Sequence, residues 1–160
     1  MVGPDAKQFE PSHRRAIVAG FGPVGRLVAE RLEAAGIDLT IIELNPQTVA
    51  RQRELSKRTV HGNVADPQVL KSAGIVTADA LIVTIPDEEA AVQACHHARR
   101  LHPGIYIAAR ANHLSRGMMC TQAGADHVVI DEIVTAEAMQ QAVVDRLITQ
   151  TGPASSARTP

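Results

Sequence analysis

Between residues 14 and 148, short apolar runs alternate six times with segments whose apolar positions recur every three to four residues. The first kind suits strands buried on both faces, the second suits helices that bury one. The expected strands are 15–19, 39–43, 59–61, 80–84, 105–109 and 127–130. Helices are expected over 23–35, 46–56, from 67 onward, up to 102 after Pro86-Asp87, over 114–123 and over 133–148. Asn45-Pro46 and Asp66-Pro67 each place a capping side chain before a proline at the first helical position. Val24, Leu27, Val28 and Leu32 share a face of the first helix, which Gly36 closes. Val69, Leu70 and Ala73 turn inward on the third helix, Asp131 caps the last, and Ala136, Met139, Val143 and Leu147 form its stripe. This alternation predicts an α/β fold, a Rossmann-type doubly wound parallel sheet of six strands in the order 3-2-1-4-5-6, with right-handed crossovers.

The first strand runs into Gly20-Phe21-Gly22-Pro23-Val24-Gly25, a G-x-G-x-x-G spacing at a strand-to-helix junction. The first glycine permits a sharp turn, the second lets backbone approach a pyrophosphate, and the third lets helix and strand pack closely. Free N–H groups and the positive end of the helix dipole then face the phosphate. Alone this spacing also occurs in plain turns. Here the second strand ends in Glu43, about twenty residues on, where a ribose-binding acid is expected.

Composition narrows the partners. The 160 residues make one domain, long enough for a proper core, expected over 14–150. Residues 1–13 and 151–160 are polar or rich in Gly, Pro, Ser and Thr, and read as linker and tail of something larger. A net charge of −1 and 2% aromatic residues supply neither field nor stacking platform for nucleic acid. No apolar run is long enough to span a bilayer and no signal peptide is evident, so a cytoplasmic chain without membrane insertion of its own is expected. Cys95 and Cys120 read as small buried hydrophobes.

In a sheet of this order the ligand lies beyond the carboxyl ends of the strands, where the order reverses between strands one and four. Glu43 there can accept both ribose hydroxyls of an adenosine; otherwise it is a solvated strand-end acid. A 2′-phosphate beside it would cost on the order of 4 kcal/mol at 4 Å and an effective dielectric near 20, favouring NAD or AMP over NADP. Leu44 follows on the same strand end. Asn63 offers an amide to adenine or else holds its own turn, and Val64 is a candidate apolar lid. Thr84 and Ile85, at the end of strand four, are expected beside the phosphates or the second nucleoside, with Asp87 read as a helix cap. Arg26 is a surface arginine or a phosphate contact. Arg110, after strand five, suits an anion, either a nucleotide phosphate or a partner's carboxylate.

Catalytic arrangements are not found. His96, His97 and His102 share a helix, but 96 and 97 point apart and no acid completes a metal-ligand spacing. No Ser or Cys has His and acid support. A binding module is therefore expected rather than an enzyme, with no metal. The alternatives are the cofactor half of an NAD-dependent oxidoreductase, or a free-standing redox-responsive partner protein.

Ala19-Gly20-Phe21-Gly22-Pro23-Val24-Gly25-Arg26, Ile42-Glu43-Leu44-Asn45-Pro46, Gly62-Asn63-Val64-Ala65-Asp66 and Ala108-Ala109-Arg110-Ala111, in this order, resemble an RCK/KTN (TrkA-N) domain, most like the C-terminal domain of Kef-type cation:proton antiporters. The resemblance spans about 14–148. It implies a homodimer whose nucleotide state, NAD(H) or AMP/ATP, biases a membrane-embedded potassium or other monovalent-cation transporter, attached or on a separate chain. It carries nucleotide contacts onto Gly20, Gly22, Gly25, Glu43, Asn63 and Arg110, and puts the last helix at or across the dimer interface. Two departures stand out. Many members have Gly-Asp-Ala where this chain has Gly62-Asn63-Val64. Asn112-His113 also stand where glutathione-gated members carry an acid, which puts glutathione control in doubt. The C-terminal lobe of many potassium-channel regulators is lacking as well.

Overall fold

The computed structural model describes residues 13–149; apart from His13, the sequence-predicted linker and tail lie outside them. Six parallel strands, β1 (Arg15–Ala19), β2 (Asp38–Glu43), β3 (Thr59–His61), β4 (Ala80–Val83), β5 (Tyr106–Ala111) and β6 (His127–Ile130), form one sheet in the order β3-β2-β1-β4-β5-β6. The helices are α1 (Pro23–Ala34), α2 (Pro46–Glu54), α3 (Pro67–Ser72), α4 (Glu88–Leu101), α5 (Leu114–Gln122) and α6 (Asp131–Thr149). A single 3₁₀ turn, Ile75–Thr77, enters β4 and was not legible in the pattern.

Alternate residues of the strands feed two cores. On one face Ile17, Ala19, Ile42, Leu81, Val83 and Ile107 meet Leu70 of α3 and Ala91, Ala94, Cys95 and Ala98 of α4. On the other, Val18 and Ile41 meet Phe21 and Ala29. Cys95 and Cys120 are buried free thiols.

Local chemistry sets the helix ends. Asn45 accepts from the N–H groups of Gln47 and Thr48, Asp66 from Gln68 and Asp87 from Ala90, so α2, α3 and α4 each begin on an acceptor side chain. Ser56, at φ +58°, stops α2 two residues short of the expected end.

Three expectations need correction. The first helix buries only part of the predicted stripe: Val24 and Leu27 are exposed, Val28 and Leu32 are half-buried, and Gly25 and Ala29 face the sheet. The helix lies so close to β1 that only the smallest side chains fit between. Strand five ends at Ala111, so Arg110 lies within it. Asp131 is the first residue of α6 rather than a cap before it. Every side chain from 132 to 148 is exposed, including Met139, Val143 and Leu147. Among the described residues, no helix is long and apolar enough to cross a membrane.

Candidate nucleotide-binding crevice

Where the strands end, the loops from β1 and β4 lead to opposite faces of the sheet and leave a crevice of about 850 Å³. It is walled by the loop from Gly20 to Val24, by Ile42 to Thr48, by Gly62 to Val64, by Thr84 to Asp87, and by Ala90 and Arg110. All the predicted site residues line it except Gly25, which lies behind the loop. A smaller hollow of about 550 Å³ lies at the opposite ends of the strands, beside the Lys57–Glu33 ion pair.

The three loop glycines have three different reasons to be there. Gly20 has φ +93°, a conformation L side chains rarely adopt. A Cβ on Gly25 would lie 2.0 Å from the Gly20 carbonyl oxygen and 2.7 Å from Thr84 Oγ1, so only glycine permits the close seat of α1. Gly22 differs from both. Its φ is an ordinary −73°, and a Cβ there would meet nothing within 4 Å. Nothing in the fold asks for glycine at 22. The missing side chain keeps the backbone at the mouth of α1 open to the crevice, as close approach by a phosphate requires. Gly22 is also the N-cap of α1 with no side-chain cap, so the helix start is left to an outside acceptor.

Glu43 has a second role that its position alone did not reveal. Its Oε2 accepts from the Phe21 N–H at 2.8 Å and its Oε1 from the Asn45 N–H at 2.8 Å. The acid thus fastens the glycine loop to the end of β2. Each carboxylate oxygen keeps a further lone pair, enough for two ribose hydroxyls. Arg26 covers the Phe21 ring, its guanidinium carbon 5.7 Å from the centroid. It is therefore placed by an aromatic face.

Other candidates are partly committed. Asn63 Oδ1 accepts from Ala65 N at 2.9 Å and holds its own turn, which leaves the amide nitrogen for a ligand. Val64 is 2% exposed, so its side chain belongs to the core and serves poorly as a lid. Thr84 Oγ1 lies 3.0 Å from Ala19 O and 3.1 Å from Gly20 O, bracing the loop from beneath. Leu44 is exposed beside Glu43, and Ile85 packs under Gly20.

At the far end of the crevice Arg110 holds Asp131 through two nitrogens: Nε is 3.0 Å from both carboxylate oxygens and Nη2 is 2.5 Å from Oδ2. This pairing holds the Asp131 carboxyl below its usual range and raises Arg110. Arg110, expected to meet a nucleotide phosphate or a partner's carboxylate, here holds a carboxylate from within its own chain. Beside it, His113 Nδ1 lies 2.7 Å from Glu132 Oε1, which raises His113 and lowers Glu132. Glu88, in the first turn of α4, accepts from the Asn112 N–H. The neighbourhood of β5 and β6 could have been read from the strand order, since adjacent parallel strands bring their ends together.

The rings of His96 and His97 stand at 67° to each other. They meet edge to edge with centroids 5.5 Å apart, while His102 Nδ1 turns to the Ile75 carbonyl. Among the described residues, no group of three or more His, Cys, Asp or Glu is placed to hold a metal ion.

The TrkA-N domain model matches residues 16–131. The chain belongs to the TrkA-N family. YbaL of Escherichia coli strain K12, named for cation/proton antiport, is 36% identical over 124 residues, or 78% of this chain and 22% of YbaL. KefC of Cronobacter sakazakii, a glutathione-regulated potassium-efflux protein, is 27% identical over 120 residues, or 75% of this chain and 19% of KefC. The chain thus spans about a fifth of the length of these relatives. The crystal structure of the YbaL TrkA-N domain superposes with a TM-score of 0.77 at 34% identity, covering 82% of this chain and 96% of that one. Two more distant structures share the fold. They are the GsuK channel bound to NAD (TM-score 0.66, 21% identity, 75% of this chain, 22% of that one) and the AMP-bound Kef C-terminal domain of Shewanella denitrificans (0.73, 22%, 84% and 81%). GsuK has also been solved with ADP.

Proposed function

We propose that this TrkA-N domain is a nucleotide-binding regulator of a monovalent-cation transporter, potassium being the first candidate, and acts at the cytoplasmic face of the membrane. An adenine nucleotide, NAD(H) or AMP, ADP or ATP, places its ribose on Glu43 and its phosphate over Gly22 at the start of α1. Gly20 and Gly25 shape the loop that receives it, Thr84 and Ile85 support that loop, and Phe21, Pro23, Val24, Leu44, Asn63 and Val64 contribute walls or backbone. Arg110 waits at the far end. The observation that carries this reading is Gly22, a glycine the fold does not need, beside an uncapped helix start.

Regulation rather than catalysis fits the polar groups at the end of β4. Thr84 and Asp87 are both committed to backbone, so neither is poised as an acid or base. A homodimer is part of this reading. The exposed Ile133, Met139, Val143, Leu147 and Ile148 of α6 form an apolar surface that a second copy would cover. The nucleotide then shifts the transporter only by its different affinities for two dimer arrangements.

Calorimetry with NAD, AMP and ADP tests the site. Binding is expected for the chain as it stands and is lost in Gly22→Val, which keeps the fold with a small drop in melting temperature, because a Cβ there meets open space while valine caps a helix less well than glycine. A Gly22→Val variant that binds as before removes the phosphate loop from the site.

A further inference from the structure

The crevice and α6 share one ion pair. Arg110 lines the crevice, and the carboxylate that holds its guanidinium is the first residue of α6. Glu132, the second residue of the helix, accepts from the Leu114 N–H at 3.3 Å and pairs with His113. Beyond these two residues α6 leaves the body: every side chain from 132 to 148 is exposed, and β6 is its principal neighbour. Within one protomer, among the described residues, the direction of α6 is set chiefly at its root. Here that root is two acidic residues on partners from β5 and the segment after it.

Strand spacing sets which ligands reach it. Neighbouring strands lie about 4.8 Å apart, so the glycine loop, at the end of β1, is about 5 Å from Glu43 and about 10 Å from β5. A nucleoside monophosphate on Glu43 and the loop ends well short of Arg110. A dinucleotide continues across β4 towards it. Acceptor oxygens on that further part of the ligand, its second phosphate, hydroxyls and carboxamide, compete with Asp131 for one guanidinium.

We infer that the Arg110–Asp131 pair couples the crevice to α6: a ligand that carries anionic or polar acceptor groups past the glycine loop draws Arg110 from Asp131 and loosens the root of the helix, while a monophosphate leaves it closed. The inference rests on the nucleotide reading above and adds a distinction between ligands that bind the same loop. By linkage, loss of the Asp131 charge tightens binding of the longer ligand by the factor with which that ligand weakens the pair.

The test is hydrogen exchange across α6 of the full chain, free and saturated with AMP or NAD, together with calorimetry on wild type and Asp131→Asn. NAD is expected to speed exchange in the first turns of α6, and AMP to leave it unchanged. Asp131→Asn should bind NAD about fivefold tighter or more, with AMP affinity unaltered. The wild-type exchange measurement needs no variant, so it stands even if Asp131→Asn does not fold. If NAD binds and α6 exchange does not change, or changes equally with AMP, the coupling is overturned and the nucleotide site stands. If neither ligand gives heat of binding, the site and the coupling fall together.

Discussion

Helices α1 and α6 leave the same edge of the sheet, after β1 and β6, and are rooted in opposite ways. The root of α1 is main chain against main chain: Gly25 lies against the Gly20 carbonyl, Thr84 braces both, and Glu43 holds the Phe21 N–H. The root of α6 is mostly side-chain charge, Asp131 on Arg110 and Glu132 on His113, all partly or well exposed, with longer bonds from the Leu114 N–H to Glu132 and from the Glu132 N–H to the Asn112 carbonyl beside them. Close packing tolerates no displacement, whereas exposed ion pairs contribute little and exchange partners readily. The first helix is therefore a fixed wall for a ligand, and the last is a part that can answer to one.

The largest expected effect comes from breaking the rigid root. Gly25→Ala sets a Cβ where the Gly20 oxygen lies 2.0 Å away, with backbone on one side and the sheet beneath. A cost of about 4 kcal/mol or more is expected, in the upper tail for single substitutions. Thermal unfolding should fall by roughly 10 °C or more for a domain of this size. An unchanged melting temperature would mean that α1 can stand off the strand, and the contrast with α6 would lose its basis.

Glu43→Ala acts on the same root more gently. It leaves the Phe21 and Asn45 N–H groups without their acceptor and removes the two oxygens proposed for the ribose. Nucleotide affinity should weaken by about 1–3 kcal/mol, the range for lost charge-assisted hydrogen bonds. Calorimetry that finds full affinity would leave Glu43 as a brace for the loop alone.

The two roots were unequally legible in the sequence. The glycine spacing, the alternation and the strand order follow from local rules, and the sheet observes them in register. The close seat of α1 was legible too, at Gly25, but the face it buries was not, because a stripe of Val24, Leu27, Val28 and Leu32 satisfies helical periodicity while Gly25 and Ala29 carry the contact. Periodicity cannot weigh a large apolar residue against a small one that permits closer approach. The root of α6 joins residues about twenty positions apart, and of its acids only Asp131 drew a local reading, as a cap. Only the adjacency of β5 and β6 turns them into partners of Arg110 and His113. The missing need for glycine at 22 emerges only when the space around its backbone is known.

The smallest effect concerns the second attachment of α6. His113 faces Glu132 from α6 and Glu88 from α4, and the Glu132 hydrogen bond is the main reason its value rises above the usual 6.5. A raised histidine contributes stability that is complete below 6.5 and fades as pH climbs through the raised value. Glu132, lowered chiefly by His113, contributes above its usual 4.5 and loses that contribution as pH falls through the depressed value. The pair is therefore fullest between 4.5 and 6.5 and opens on the alkaline side. Arg110 stays protonated there, so the Asp131 contact then holds the helix root without its neighbour. A proton NMR titration should give His113 a midpoint above 6.5 that returns to the ordinary value in Glu132→Gln. Hydrogen exchange in the first turn of α6 should quicken from pH 6 to pH 8 in wild type beyond the intrinsic rate, and by less in that variant. Equal pH dependence in the two proteins would show that His113 does not help to anchor α6, and leave its root to Arg110 and the backbone bonds at Glu132.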